Sequence, residues 1–183
     1  MYKIVSKKQF SQKVFCMEIE APLIAKSRKP GNFVIVRVDK HSERMPLTIA
    51  DANIQQGTIT LVIQEVGLSS KKLCSLNAGE YIADIVGPLG NPTHIENFGT
   101  VICACGGLGA APMLPIIRGL KAAGNRVVLI APAYQEDGVM PQVQGMQEAL
   151  DAVEALTASR DALAVSTAGY GCLAEALFKM CVG

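Results

Sequence analysis

The chain changes its period once, at Gly87-Pro88-Leu89-Gly90-Asn91-Pro92, and this change does most to limit what it can fold into. Two glycines and two prolines among six residues cannot continue regular structure. Before them, apolar residues alternate with polar ones in short segments: Tyr2 to Phe10, Lys13 to Glu20, Asn32 to Asp39, Met45 to Ala50, Thr58 to Gln64 and Tyr81 to Val86. These are rich in Val, Ile, Phe and Thr and are punctuated by Pro30-Gly31, Gln56-Gly57 and Ala78-Gly79. The spacing predicts six strands closing into a small antiparallel barrel over residues 1–97. A single helix is expected among them, from Ser69 to Leu76, with Ser69 as its cap and Leu73 and Leu76 on one side.

After the break the pattern is that of an α/β lobe. Thr100 to Cys105 is a continuous apolar run, suited to a parallel strand buried on both faces. Pro112 to Ala123 reads as a helix with Pro112 at or near its first position, closed by Gly124-Asn125. Arg126 to Ala131 reads as a second strand, giving a βαβ unit. Further on, Val143 to Ala155 and Leu173 to Met180 are expected helices and Leu163 to Thr167 a third strand. The expected fold class is thus a six-stranded antiparallel barrel followed by a shortened parallel α/β lobe over residues 98–183, with no internal repeat.

Seventeen basic and sixteen acidic residues leave a net charge of +1 without a lysine or arginine cluster, so no nucleic acid is expected as partner. The N-terminus MYKIVSKKQF is unlike a signal peptide, and no apolar run reaches membrane-spanning length. A cytoplasmic location and no membrane contact are expected. Six cysteines, at 16, 74, 103, 105, 172 and 181, follow neither a disulfide framework nor a CxxC metal pattern. Cys103 and Cys105 are two apart on an expected strand, so both face one way, as core residues. His41 and His94 stand far apart with no nucleophile arranged around them, so no catalytic side chain and no metal ligand is assigned.

Three stretches carry chemical content. In Cys105-Gly106-Gly107-Leu108-Gly109-Ala110-Ala111-Pro112, glycines between a buried strand and a helix let the backbone approach a ligand, and the helix start favours a phosphate. A glycine turn that only packs a helix on a sheet explains it equally well. Arg44-Met45-Pro46-Leu47-Thr48 offers a guanidinium fork, an apolar wall and a hydroxyl on a proline-stiffened strand, or is merely a barrel strand that starts with arginine. Gly67-Leu68-Ser69-Ser70 presents hydroxyl and N–H groups to a phosphate, or simply caps a helix.

In this order and spacing, with Gly87-Pro88-Leu89-Gly90-Asn91 between the halves, the stretches resemble the ferredoxin-NADP reductase superfamily. The likeness covers residues 1 to about 130 and is greatest to the flavin-carrying electron-transfer subunits of the dihydroorotate dehydrogenase, sulfide dehydrogenase and NADH-dependent ferredoxin:NADP oxidoreductase type. Arg44-Met45-Pro46-Leu47-Thr48 looks like the Arg-x-Pro-Leu-Thr/Ser flavin motif, Gly67-Leu68-Ser69-Ser70 like the Gly-x-Gly-Thr turn, and residues 105–112 like Gly-Gly-Gly-x-Gly-x-Ala-Pro.

The resemblance implies FAD in the barrel. Arg44 would lie near its pyrophosphate with Gly67, Ser69 and Ser70. Leu47 and Thr48 would run beside the isoalloxazine and ribityl chain and Val62, Ile63 and Gln64 along the ring, with Met45 and Pro46 of the same motif also cofactor-binding. Gly106, Gly107, Gly109 and Pro112 would border NAD(P)H, whose hydride passes to the flavin, with the cofactor supplying the chemistry. The implied function is an FAD-dependent oxidoreductase or electron-transfer subunit passing electrons between NAD(P)H and a partner redox protein or larger catalytic subunit. The alternative is a non-catalytic flavin-binding or assembly subunit that has lost nicotinamide nucleotide binding. Ser69 and Ser70 depart from Gly-Thr, and Cys105 replaces the first glycine, adding a Cβ where backbone should approach the ligand. The family's cysteine-rich [2Fe-2S] segment has no counterpart here, so no cluster is expected in this chain. Leu163 to Gly171 stands where a later strand and its glycine turn would be.

Overall fold

The computed structural model describes residues 1–105, 107–130 and 162–166. The chain divides into two compact units, Met1–Thr93 and His94–Gly183.

Strand alternation builds the first unit. β1 (Tyr2–Ser11), β2 (Val14–Glu20), β3 (Phe33–Arg37), β4 (Met45–Asn53), β5 (Thr58–Gln64), β6 (Tyr81–Ile82) and β7 (Asp84–Leu89) form one antiparallel sheet in the order β6-β1-β2-β5-β4-β3-β7. The last expected strand is split at Ala83. Its first part pairs with β1 at one edge of the sheet and its second with β3 at the other. One kinked segment therefore supplies both edge strands of the sheet and brings its two ends together as a barrel. Inward-facing Ile4, Met17, Ile19, Val34, Val36, Ile49, Ile59, Leu61 and Ile63 fill the interior, each less than 2% exposed.

The break in the sequence is less of a break in the structure. β7 continues through Gly87-Pro88 to Leu89, correcting the expectation that regular structure stops there. Proline is tolerated because β7 lies at the end of the hydrogen-bonded ladder, where its missing N–H is not needed. Glycine is required by close approach, since a Cβ at Gly87 would stand 2.6 Å from Val34 Cγ1. A second correction is α1 (Pro22–Ser27), a short helix with proline in its first turn, where Ser69 to Leu76 was the single helix expected among the strands.

In the second unit β8 (Thr100–Ala104), α3 (Ala110–Ala122) and β9 (Arg126–Ile130) form the expected βαβ unit, and β10 (Ala162–Ser166) pairs parallel to β8 on its other side. Val101, Cys103, Cys105, Met113, Ile116 and Leu120 form its core. The buried Asn125 fastens the lead-in segment, its Oδ1 accepting the Phe98 N–H at 2.6 Å and its Nδ2 donating to Glu96 and Leu120 carbonyls at 2.7 and 2.9 Å. The helices expected at Val143 to Ala155 and Leu173 to Met180 lie outside the described residues.

Candidate functional site

The loop between β3 and β4 folds back onto α2 (Leu68–Ser75). In that loop the Asp39 carboxylate accepts the His41 N–H and the Ser42 hydroxyl, both at 2.9 Å, and pairs with Lys72 of α2. The Lys72 ammonium, then these two donors, hold its carboxyl far below the usual range. Next along the loop, the Ser69 hydroxyl donates to Glu43 Oε2 at 3.1 Å. Two contacts thus fasten the loop to α2, and Arg44, the following residue, comes to the same end of the barrel as the helix start. Its exposed guanidinium reaches Asp84 of β7 at 3.3 Å, on the same carboxylate oxygen that Arg37 meets at 3.5 Å.

The two serines divide the roles that the sequence left open. The N-cap is Gly67, one residue before the helix, and Ser70 does the capping rather than the expected Ser69. Its Oγ accepts the Val66 and Gly67 N–H groups at 2.9 Å each and donates to the Gly67 carbonyl at 3.0 Å. The Leu68, Ser69 and Ser70 N–H groups, being in the first turn, have no intrahelical acceptor and favour an anion. At Gly67 neither φ, at −117°, nor packing demands glycine, because a Cβ would meet nothing within 4 Å. The chain leaves open space beside these donors.

Strand period sorts the remaining barrel residues. Met45 and Leu47 are half-buried and pack against the core. Pro46 and Thr48 alternate to the outer face. Ile49 pairs with Leu61 and Ile63 is 1% exposed, which leaves Val62 and Gln64 facing outward and only the Ile63 backbone free to meet a ligand.

In the second unit the sheet order is β10-β8-β9. The chain leaves β8 to one side for β9 and lies on the other side at β10, so the carboxyl end of β8 is a topological switch point, where α/β sheets bind ligands. The glycine loop sits there. Gly107–Gly109 forms a 3₁₀ turn, Gly109 is the N-cap of α3 without a side-chain cap bond, and Pro112 is the third helical residue. The first turn therefore offers N–H groups at Ala110 and Ala111. Gly106 lies outside the described residues. The Cys105 side chain is 6% exposed and packs in the core with Cys103 and Met113.

Burial pushes the Cys103 thiol up to about 11, with the neighbouring Cys105 adding to the rise, and burial alone raises Cys105. Both remain protonated thiols at neutral pH. Iodoacetamide at pH 8 is expected to leave them unmodified in the folded protein and to alkylate both after denaturation, as read by peptide mass mapping; a labelled Cys103 in folded protein contradicts this. Among the described residues no group of three or more His, Cys, Asp or Glu could hold a metal ion, and no helix is long and apolar enough to cross a membrane.

No family model matches the chain. A solved structure of an NADH-dependent reduced ferredoxin-NADP oxidoreductase, described for flavin-based electron bifurcation, superposes with a TM-score of 0.77 at 32% identity, covering 91% of this chain and 67% of its own. The chain belongs to the ferredoxin-NADP reductase superfamily. Within that superfamily it is 39% identical over 135 residues to a Thermotoga maritima protein named as a dihydroorotate dehydrogenase B (NAD(+)) electron transfer subunit homolog, covering 74% of this chain and 48% of that one. It is also 44% identical over 147 residues to an uncharacterized protein of Clostridium beijerinckii from the adh 3' region, covering 75% and 49%. The chain spans about half the length of these curated relatives.

The superfamily motifs name Arg44, Thr48, Gly67 and Ser69 as candidates. They do not name Asp39, Glu43, Lys72 or Asp84, which belong to no motif and meet their partners only through the barrel register.

Proposed function

We propose that the chain is an FAD-dependent oxidoreductase or electron-transfer subunit that passes electrons between NAD(P)H and a partner redox protein or larger catalytic subunit in the cytoplasm. The observation that carries this is the donor set at one end of the barrel: the exposed Arg44 guanidinium, the Ser69 hydroxyl and the first turn of α2, beside open space at Gly67. Such a set suits the adjacent phosphates of a dinucleotide.

In this reading Arg44 and the Ser69 and Ser70 N–H groups hold the pyrophosphate, and Gly67, whose own N–H is taken by Ser70 Oγ, leaves room beside them. The Thr48 hydroxyl meets the ribityl chain, and Val62, Gln64 and the backbone of Leu47 and Ile63 border the ring. Met45 anchors the strand to the core and Pro46 stiffens it. Gly106, Gly107, Gly109 and Pro112 border the nicotinamide nucleotide. When bound, FAD supplies two-electron chemistry with the nicotinamide and onward transfer of the electrons. The side chains position and exclude water, so no acid or base is assigned. The superfamily relatives support a partner, and free thiols at Cys16, Cys74, Cys103 and Cys105 agree with a reducing compartment.

Anaerobic addition of NADH or NADPH to the FAD-loaded chain is expected to bleach the yellow flavin band. Bound flavin that resists both nucleotides leaves the non-catalytic flavin-binding or assembly subunit; a protein that takes up no flavin overturns both readings.

A further inference from the structure

Glu43 has no part in the proposed flavin cradle, yet its carboxylate is placed on it. Its Oε2 takes the Ser69 hydroxyl at 3.1 Å, at the turn whose N–H groups have no intrahelical acceptor. The loop that presents it is fixed by the Lys72–Asp39 pair and by the bonds of Asp39 to His41 and Ser42. A carboxylate held there has the charge sign and acceptor oxygens of a phosphate, so it complements the positive end of α2 in the same way. The second phosphate-directed group, Arg44, is likewise occupied by a carboxylate of the chain, Asp84, which it shares with Arg37.

We propose that Glu43 tunes flavin affinity by its charge: its carboxylate, held on the Ser69 hydroxyl beside the first turn of α2, repels a phosphate brought to that turn and so weakens FAD binding. The inference rests on the FAD reading above and adds to it an affinity-determining residue that makes no bond to the ligand. Two consequences follow from the charge. The penalty falls only on ligands that bring phosphate to this turn, and it depends on the carboxylate's charge rather than on its bond to Ser69.

Glu43→Gln keeps an acceptor for the Ser69 hydroxyl and removes the charge. FAD titrated into the full chain, followed by quenching of flavin fluorescence, is expected to bind the variant roughly three- to tenfold more tightly than the wild type, the scale of an exposed charge repulsion. ADP, competing for the same turn, is expected to gain by a similar factor and riboflavin, which has no phosphate, not at all. Glu43→Ala, which removes both charge and bond, is expected to move FAD affinity in the same direction. Unchanged or weaker FAD binding in both variants, with wild-type binding intact, overturns the role of Glu43 and leaves the FAD reading standing. An equal gain for riboflavin also overturns it, since the effect would then be one of shape. A wild-type chain that binds no FAD removes the reading on which the inference depends.

Discussion

Replacing Arg44 by alanine is expected to weaken FAD binding by about 10- to 100-fold while leaving the melting temperature of the flavin-free protein nearly unchanged. A charge-assisted bond from guanidinium to phosphate contributes roughly 1.5–3 kcal/mol, which sets the size of the loss. The stability side is small because Arg44 contributes an exposed ion pair, 3.3 Å from Asp84, and such pairs add at most about 1 kcal/mol. Asp84 also keeps Arg37 as a partner when Arg44 is gone. Lysine at this position is expected to recover part of the affinity, since it restores the charge without the planar fork. Isothermal titration with FAD, paired with thermal melts of the unloaded protein, separates the two effects. An alanine variant that binds FAD as well as the wild type would remove Arg44 from the site.

The largest effect on stability is expected at Asn32, which is 6% exposed just before β3. Its Oδ1 accepts the Lys29 N–H at 2.7 Å, and its Nδ2 donates to the carbonyls of Leu89 and Gly90 at 3.2 and 2.9 Å. One side chain thus ties the start of β3 to the end of β7, the strand that closes the barrel. Asn32→Ala strands these groups in a buried place, for a cost of roughly 2–4 kcal/mol. In a barrel of this size the melting temperature is expected to fall by roughly 10–20 °C. Asn32→Asp is the informative companion: it keeps the acceptor for Lys29 but turns two donor contacts into oxygen facing oxygen. It is expected to be at least as damaging as alanine. A shift of a degree or two in either variant would show that water replaces these bonds without cost.

The barrel strands are legible in the sequence because one face of each is packed. Ile59, Leu61 and Ile63 alternate with Thr60, Val62 and Gln64, and a period of two has no other reading. α1 is not legible, because six residues are too few to display a helical period and Pro22 reads as a turn as readily as a helix start. The continuation of β7 through Gly87-Pro88 is hidden for a different reason. It depends on where β3 approaches and on the strand lying at the end of the ladder, and neither is a local property.

At the site, the motifs locate the helix start but not which serine caps it. That depends on whether the helix begins at residue 68 or 69, finer than sequence patterns resolve. The contacts of Glu43 with Ser69 and of Arg44 with Asp84 span 26 and 40 residues and exist only once the barrel is closed. Cys105 shows the converse. As a letter it departs from the glycine motif, and as a side chain it lies in the core.

A barrel that holds a flavin by its pyrophosphate must discriminate FAD from riboflavin. Equilibrium titration of the purified full chain with FAD and, separately, with riboflavin tests this most directly, because the two share the ring and differ by the phosphates and adenosine. Saturable FAD binding at least about 100-fold tighter than riboflavin binding is expected, with a difference that narrows as salt is raised. Equal affinity for the two, or no binding of FAD at all, would contradict it.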